Sequence, residues 1–325
     1  MQALRATIRN VQRTKVPNAF TRQRRPLSKT TKTMPTVAIQ TSLPCGAVAG
    51  TLGALCGVGG GLVIIPVLKQ FSRLTVHQIT ATSLFSITIA STVGAGSYIA
   101  QGEARVPEAT LIALSAVVTA GLGAKVSQHL PASSLTKLLA LSMMLAVPAV
   151  LLKPASKHAQ VDQEDHQDHQ DHQDLPSSDK VDETTNNVAM SLLGRGAPSS
   201  VSELPAWFKQ NWGYSVLGLF VGFSSSLLGI GGGIVMTTYM SVATDLTQHE
   251  AVATSLVAMV PTGLSATFWH MRAGNVQTRA ALTIGGACAV SMYGAATFIA
   301  PHCSEPTMRK IFAVVLSLAS LKMLL

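Results

Sequence analysis

The chain has 325 residues, of which 47% are apolar and 12% charged, with a mean hydropathy of +0.35. A soluble chain of that length would divide into two ordinary domains, but here the apolar residues fall in long runs, which points to an all-α polytopic membrane protein. The formal net charge of +9 sits in the first forty residues, which hold nine Lys and Arg and no acid. Beyond them 15 basic residues balance 15 acidic ones, so nothing in the charge calls for nucleic acid.

Residues 1–43 read as a basic leader without an apolar core, which excludes an ordinary secretory signal. The composition fits an organellar transit peptide, mitochondrial or plastid. The alternative is a disordered basic tail on the cytosolic face of a membrane, the plasma membrane included. The first acidic residue of the chain is Glu103.

Eight apolar segments follow, each near the ~20 residues that a bilayer requires. Four lie at about 44–68, 79–100, 107–126 and 134–152, within a repeat spanning 44–153. Four more lie at about 213–243, 251–271, 279–301 and 307–325, within a repeat spanning 213–325. The two sets match without a gap at an offset of 172 positions, residues 46–153 onto 218–325. Gly46 and Gly50 fall on Gly218 and Gly222, Ala81-Thr82-Ser83-Leu84 on Ala253-Thr254-Ser255-Leu256, and Gly102 on Gly274. This is the signature of a duplicated chain. Four full spans per repeat would set the halves parallel; a segment that dips in and returns would invert them.

The first segment of each repeat carries a glycine run, Gly57-Val58-Gly59-Gly60-Gly61 and Gly229-Ile230-Gly231-Gly232-Gly233. Each glycine costs a helix interior about 1 kcal/mol relative to Ala, so both segments are expected to break. Non-helical backbone at membrane depth survives only where protein buries it or it lines a watery cavity. Matching breaks in two halves point to a transporter's binding site.

Between the repeats, residues 154–212 are polar and poor in aromatics, with a three-residue repeat, Asp-His-Gln, over 165–174. The segment cannot bury a core and reads as a disordered linker. His166, His169 and His172 could collect a divalent metal, although repeat expansion in a solvated loop explains them without function. The four cysteines form no ligand or disulfide spacing.

A broken helix exposes the N–H groups of its second half, where the macrodipole contributes about half a positive charge. Gly59, Gly60, Gly61, Gly231, Gly232 and Gly233 would then form an anion cradle without a buried Lys or Arg. Thr82, Ser83, Thr254 and Ser255 could add hydroxyl donors, or could back-bond to their own helices. His77 and His249 recur at equivalent positions and are candidates for proton coupling. No HExxH, GxSxG or P-loop appears, so neither an enzyme nor a cofactor is expected. The expected partners are a small anion and the lipid bilayer, with self-association open.

The glycine runs, the Ala-Thr-Ser-Leu starts about twenty residues after each, and the duplication together resemble the TauE/SafE family of sulfite and organosulfonate exporters. The resemblance covers nearly all of both repeats but neither the leader nor the linker. It implies a multi-pass permease for a small sulfur-containing anion. Two alternatives stay open from the residues alone. One is a divalent-cation transporter fed by the Asp-His-Gln loop; the other is a membrane scaffold that transports nothing.

Overall fold

The structure is a computed structural model and describes residues 39–131, 133–138, 140–141, 144, 207, 209–244 and 246–324. The leader before residue 39 and the Asp-His-Gln stretch with His166, His169 and His172 lie outside the described residues. All regular structure among the described residues is helical. In chain order the first part holds α1 (Ile39–Cys56), α2 (Gly61–Phe71), α3 (Val76–Ala100) and α4 (Val106–His129). The second holds α5 (Trp212–Leu228), α6 (Gly233–Ala243), α7 (Gln248–Arg272), α8 (Thr278–Gly294) and α9 (Glu305–Leu324). A single π turn, Ala295–Ile299, and a short 3-10 turn extend α8.

Among the described residues four helices have the length and hydropathy to cross a membrane: α3, α4, α7, and α8 with its extension. The two glycine-run segments, expected as spans, are instead pairs of shorter apolar helices. Local chemistry explains the ends of α3 and α7. Thr75 and Thr247 each accept at Oγ1 from the backbone N–H three residues on, and the Gln78 or Glu250 side chain accepts from the Thr N–H in return. These reciprocal pairs are capping boxes that satisfy the helix-start donors. At the far ends Glu103 N–H bonds to Tyr98 O and Asn275 N–H to His270 O around Gly102 (φ 71°) and Gly274 (φ 73°). A left-handed glycine with that bond pattern is the Schellman stop.

Side-chain neighbours fix the direction of six of the helices. Leu84 early in α3 clusters with Ala266 late in α7, while Gly94 late in α3 faces Leu256 early in α7, so these two run antiparallel. Ser86 and Gly94 of α3 meet Ala281 and Met292 of α8 in parallel order. Gly46, Gly50 and Gly53 of α1 face Ala287, Ser291 and Met292 of α8, again in parallel order. On the other side Val117 and Gly121 of α4 meet Ser265 and Trp269 of α7, and Gly218 and Gly222 of α5 face Ile112 and Ala116 of α4. Hence α1, α3 and α8 point one way, and α4, α5 and α7 the other.

Because α1 and α3 share a direction, α2 between them must return, and the same holds for α6 between α5 and α7. Each glycine run is therefore a reversal. Gly60 doubles back onto α1, where a Cβ would sit 2.7 Å from Ala49 O; Gly232 doubles back onto α5, 2.6 Å from Val221 Cγ1. At 11 residues each, α2 and α6 rise about 16 Å, half of the ~30 Å hydrocarbon core.

Polarity is arranged inside out. Leu114, Val118 and Leu122 of α4, Phe220 of α5 and Val290 of α8 are exposed, whereas Thr82, Ser83, Ser86, Ser91, Ser225, Ser226, Thr254, Ser255 and His270 are buried. In water such an outer face would aggregate; in lipid it matches its solvent. Glycines at the helix contacts let the backbones approach closely, which is how helices associate in lipid.

Candidate functional site

The two glycine runs meet at the centre of the molecule. Three of the four glycines in each run have φ between 65° and 87°: Gly57, Gly59 and Gly60 in the first, Gly229, Gly231 and Gly232 in the second. Only glycine adopts that region without strain. Gly61 and Gly233 are different. They open α2 and α6 with ordinary backbone and are small because the opposite run presses on them. A Cβ on Gly61 would sit 3.2 Å from Ile230 Cα, and one on Gly233 would sit 2.5 Å from Gly57 O.

Each reversal also docks on the long helix of the other half. Gly57 abuts Val252 and Ser255 of α7, and Gly229 abuts Thr80 of α3. Ser255 Oγ donates to Gly57 O at 2.9 Å. Over the tips close two apolar side chains, Ile87 from the middle of α3 and Met259 from the middle of α7. A Cβ on Gly59 would lie 2.6 Å from Ile87 Cγ2, 2.7 Å from Met259 Cε and 3.0 Å from Ser91 Oγ. The Ser91 hydroxyl is fully buried and finds no hydrogen-bond partner among the described residues.

The residues singled out in sequence therefore separate. Gly59, Gly60, Gly61, Gly231, Gly232 and Gly233 come together, and Ser255 touches the first run. Ser83 is buried with an unpartnered hydroxyl. Thr82 and Thr254 are engaged at loops instead. Thr82 Oγ1 accepts from Gln277 N–H at 3.2 Å, and Thr254 Oγ1 from Arg105 N–H at 3.1 Å, each tying down the loop that follows the other half's long helix. His77 Nε2 meets Ser127 O at 2.9 Å and His249 Nε2 meets Cys303 O at 3.1 Å, both partly buried and away from the reversals.

His270 near the end of α7 is buried, with Nε2 2.9 Å from Ser226 O. The position 172 earlier is Tyr98, whose hydroxyl donates to Ala54 O at 3.0 Å. Glu250, a candidate relay acid by its place beside His249, pairs with Arg105 Nη2 at 3.0 Å. Sequence reading missed Ile87, Met259 and Ser91. Their only signal was position: all three lie midway along spans that follow the glycine runs, where apolar residues and serines look like ordinary helix packing.

A small cleft opens among the described residues. It lies between α2, α3, the helical residues 133–138 and the end of α5, with Lys69 at its rim and Ile65, Ile79, Thr80 and Leu228 along its walls. Thr80 in its wall is also the residue that Gly229 abuts. At the matching place in the other half, Ser241 and Gln248 are both buried and bonded to each other at 2.8 Å.

An outer surface suited to lipid, four helices long and apolar enough to cross it among the described residues, and two broken helix pairs meeting tip to tip define an integral multi-pass membrane protein. The chain belongs to the family described as sulfite exporter TauE/SafE, whose profile matches residues 42–323. Among curated proteins it is similar to a probable membrane transporter protein of Methanocaldococcus jannaschii, 32% identical over 95 residues, 26% of this chain and 35% of that protein. It is also similar to the probable membrane transporter proteins YdhB and YunE of Bacillus subtilis. YdhB is 36% identical over 81 residues, 25% of this chain and 31% of that protein. YunE is 24% identical over 246 residues, 74% of this chain and 80% of that protein. The matched stretches thus span about a third of the first two relatives and four fifths of the third. No solved structure is matched.

Proposed function

We propose that this chain is a secondary transporter that carries a small anion, sulfite or an organosulfonate, through a site made by the two glycine reversals. The observation that carries the reading is the meeting of two half-helix starts, Gly61 and Gly233, from opposite directions, with a Ser91 hydroxyl that has no partner among the described residues beside Gly59. Each helix start presents N–H groups that have no partner within their own helix. Each also contributes a positive end worth about 0.3–2 kcal/mol to an anion, according to burial. An anion held by neutral donors needs no buried Lys or Arg, whose charge would be costly at that depth. It also forms no ion pair that would resist release.

The second part of the proposal concerns the halves. Positions 172 apart make equivalent bonds, Thr82 to the loop at Gln277 and Thr254 to the loop at Arg105. The equivalent helices α3 and α7 run antiparallel. We read this as two duplicated halves inverted in the bilayer, which would let one central site face either side in turn. The cleft at Lys69 would then be the open approach, with the bonded Ser241 and Gln248 closing the opposite one. His77 and His249, at equivalent places near the two mouths, remain the proposed proton-coupling groups. The leader is proposed to direct the chain to a mitochondrial or plastid membrane, which a fluorescent fusion of residues 1–40 tests.

Transport itself is tested with purified protein in liposomes, measuring flux of sulfite, sulfate, thiosulfate and short alkanesulfonates. Saturable flux of sulfite or a sulfonate is the expected result. Protein that is folded and inserted but moves none of these anions would overturn the reading.

A further inference from the structure

Four of the glycines at the central tips meet one or both of two side chains, Ile87 and Met259. Gly61 would place a Cβ 2.6 Å from Ile87 Cδ1, and Gly231 would place one 3.0 Å from Ile87 Cγ2 and 3.4 Å from Met259 Cε. Gly59 meets both side chains, and Gly233 would come 2.9 Å from Met259 Sδ. Ile87 and Met259 are 172 positions apart, sit midway along the antiparallel α3 and α7, and are each 1% exposed. The two side chains thus close on the glycine tips, one from each half.

We propose, building on the transport reading above, that Ile87 and Met259 form the stopper of the anion path, and that Met259 is the part that withdraws. An apolar constriction sheds water and so blocks ions while it is closed. Its two members are unlike in a way that assigns the movement. Ile is branched at Cβ and holds essentially one χ1 rotamer in a helix. Met is unbranched, with three rotatable bonds and a polarizable sulfur, and it repacks readily. The helices differ in the same sense. Two residues beyond Met259, α7 carries Pro261, which cannot donate to the carbonyl four residues back and loosens the helix there. At the matching place α3 has Ile89. The stopper also sets cargo size. A bare oxyanion needs only a small displacement of Met259, whereas the carbon tail of a sulfonate must find room where the stopper sits.

The test compares wild type with Met259→Ala, Met259→Ile and Ile87→Ala in proteoliposomes, using sulfite, methanesulfonate and butanesulfonate. Met259→Ala should pass butanesulfonate about tenfold or more faster than wild type, the scale set by a few methylenes in an apolar contact. A gain of that kind cannot come from misfolding. Met259→Ile should slow sulfite by about tenfold with an unchanged melting temperature, since it keeps the bulk and removes the freedom. Ile87→Ala should widen the size limit less than Met259→Ala does. If both alanine variants keep wild-type rates and size limits, the stopper assignment is wrong. If Met259→Ile behaves as wild type while the alanine variants widen the path, the assignment of the moving part is wrong. Failure of the wild type itself to move any anion would instead sink the transport reading on which this rests.

Discussion

Gly61→Ala separates the role of the central tips in transport from their role in folding. Gly61 opens α2 with ordinary helical backbone, so Ala is allowed there and is favoured over Gly within a helix by up to about 1 kcal/mol. The new methyl would come 2.6 Å from Ile87 Cδ1, the free end of a side chain, and 3.2–3.3 Å from the Ile230 backbone. The first contact is relieved by a rotamer change and the second by a few tenths of an ångström. We therefore expect net stability within about 1 kcal/mol of wild type, the range of a substitution with one modest packing penalty. Transport is another matter, because in the proposed site the methyl would stand between the two helix starts. One methylene in the wrong place is worth about 1–3 kcal/mol, or roughly 10- to 200-fold in rate. The assay is sulfite flux in proteoliposomes beside a melting curve in detergent. Gly96→Ala serves as the control, since a Cβ there meets nothing within 4 Å. It should keep full flux and melt no lower than wild type. If Gly61→Ala melts normally and transports at the wild-type rate, the tips are not the anion site.

Three further outcomes follow from single residues. Ser91→Ala removes a buried hydroxyl that has no partner among the described residues, so stability should hold or rise, while sulfite flux should fall about tenfold if the hydroxyl meets the anion; equal flux would remove Ser91 from the site. Lys69→Glu reverses the charge at the rim of the cleft and should raise the KM for sulfite on that side, most at low ionic strength. A KM that does not move would mean the anion enters elsewhere. Glu250→Gln keeps a capping side chain like that of Gln78 but breaks the pair with Arg105, so the loss should be about 1–2 kcal/mol of stability, read from the melt, with little change in size selectivity.

Much of this architecture is local, and what is local was legible in the chain. An apolar run reveals a lipid-buried segment because lipid contact is a property of composition, and a GxGGG run reveals a break because only glycine accepts the left-handed backbone seen at Gly57, Gly59, Gly60, Gly229, Gly231 and Gly232. The match of Gly102 with Gly274 was visible as well, and both prove to be helix stops with the same bond pattern. The hydroxyls fared differently. Thr82 and Ser83 are adjacent, as are Thr254 and Ser255, and nothing in the sequence says that the threonines tie loops while Ser255 holds a reversal.

Tertiary structure alone decided the direction of the helices, the reversal at each glycine run, and the convergence of Ile87, Met259 and Ser91 on the tips. The reason is physical. A helix that will sit in lipid is apolar all round, so its sequence carries no stripe to say which face meets a neighbour. Contact in lipid is chosen instead by the fit of small residues such as Gly46, Gly123 and Gly263 against one particular partner. That fit is settled between residues a hundred or more positions apart, and it becomes visible only when the packed helices are seen together.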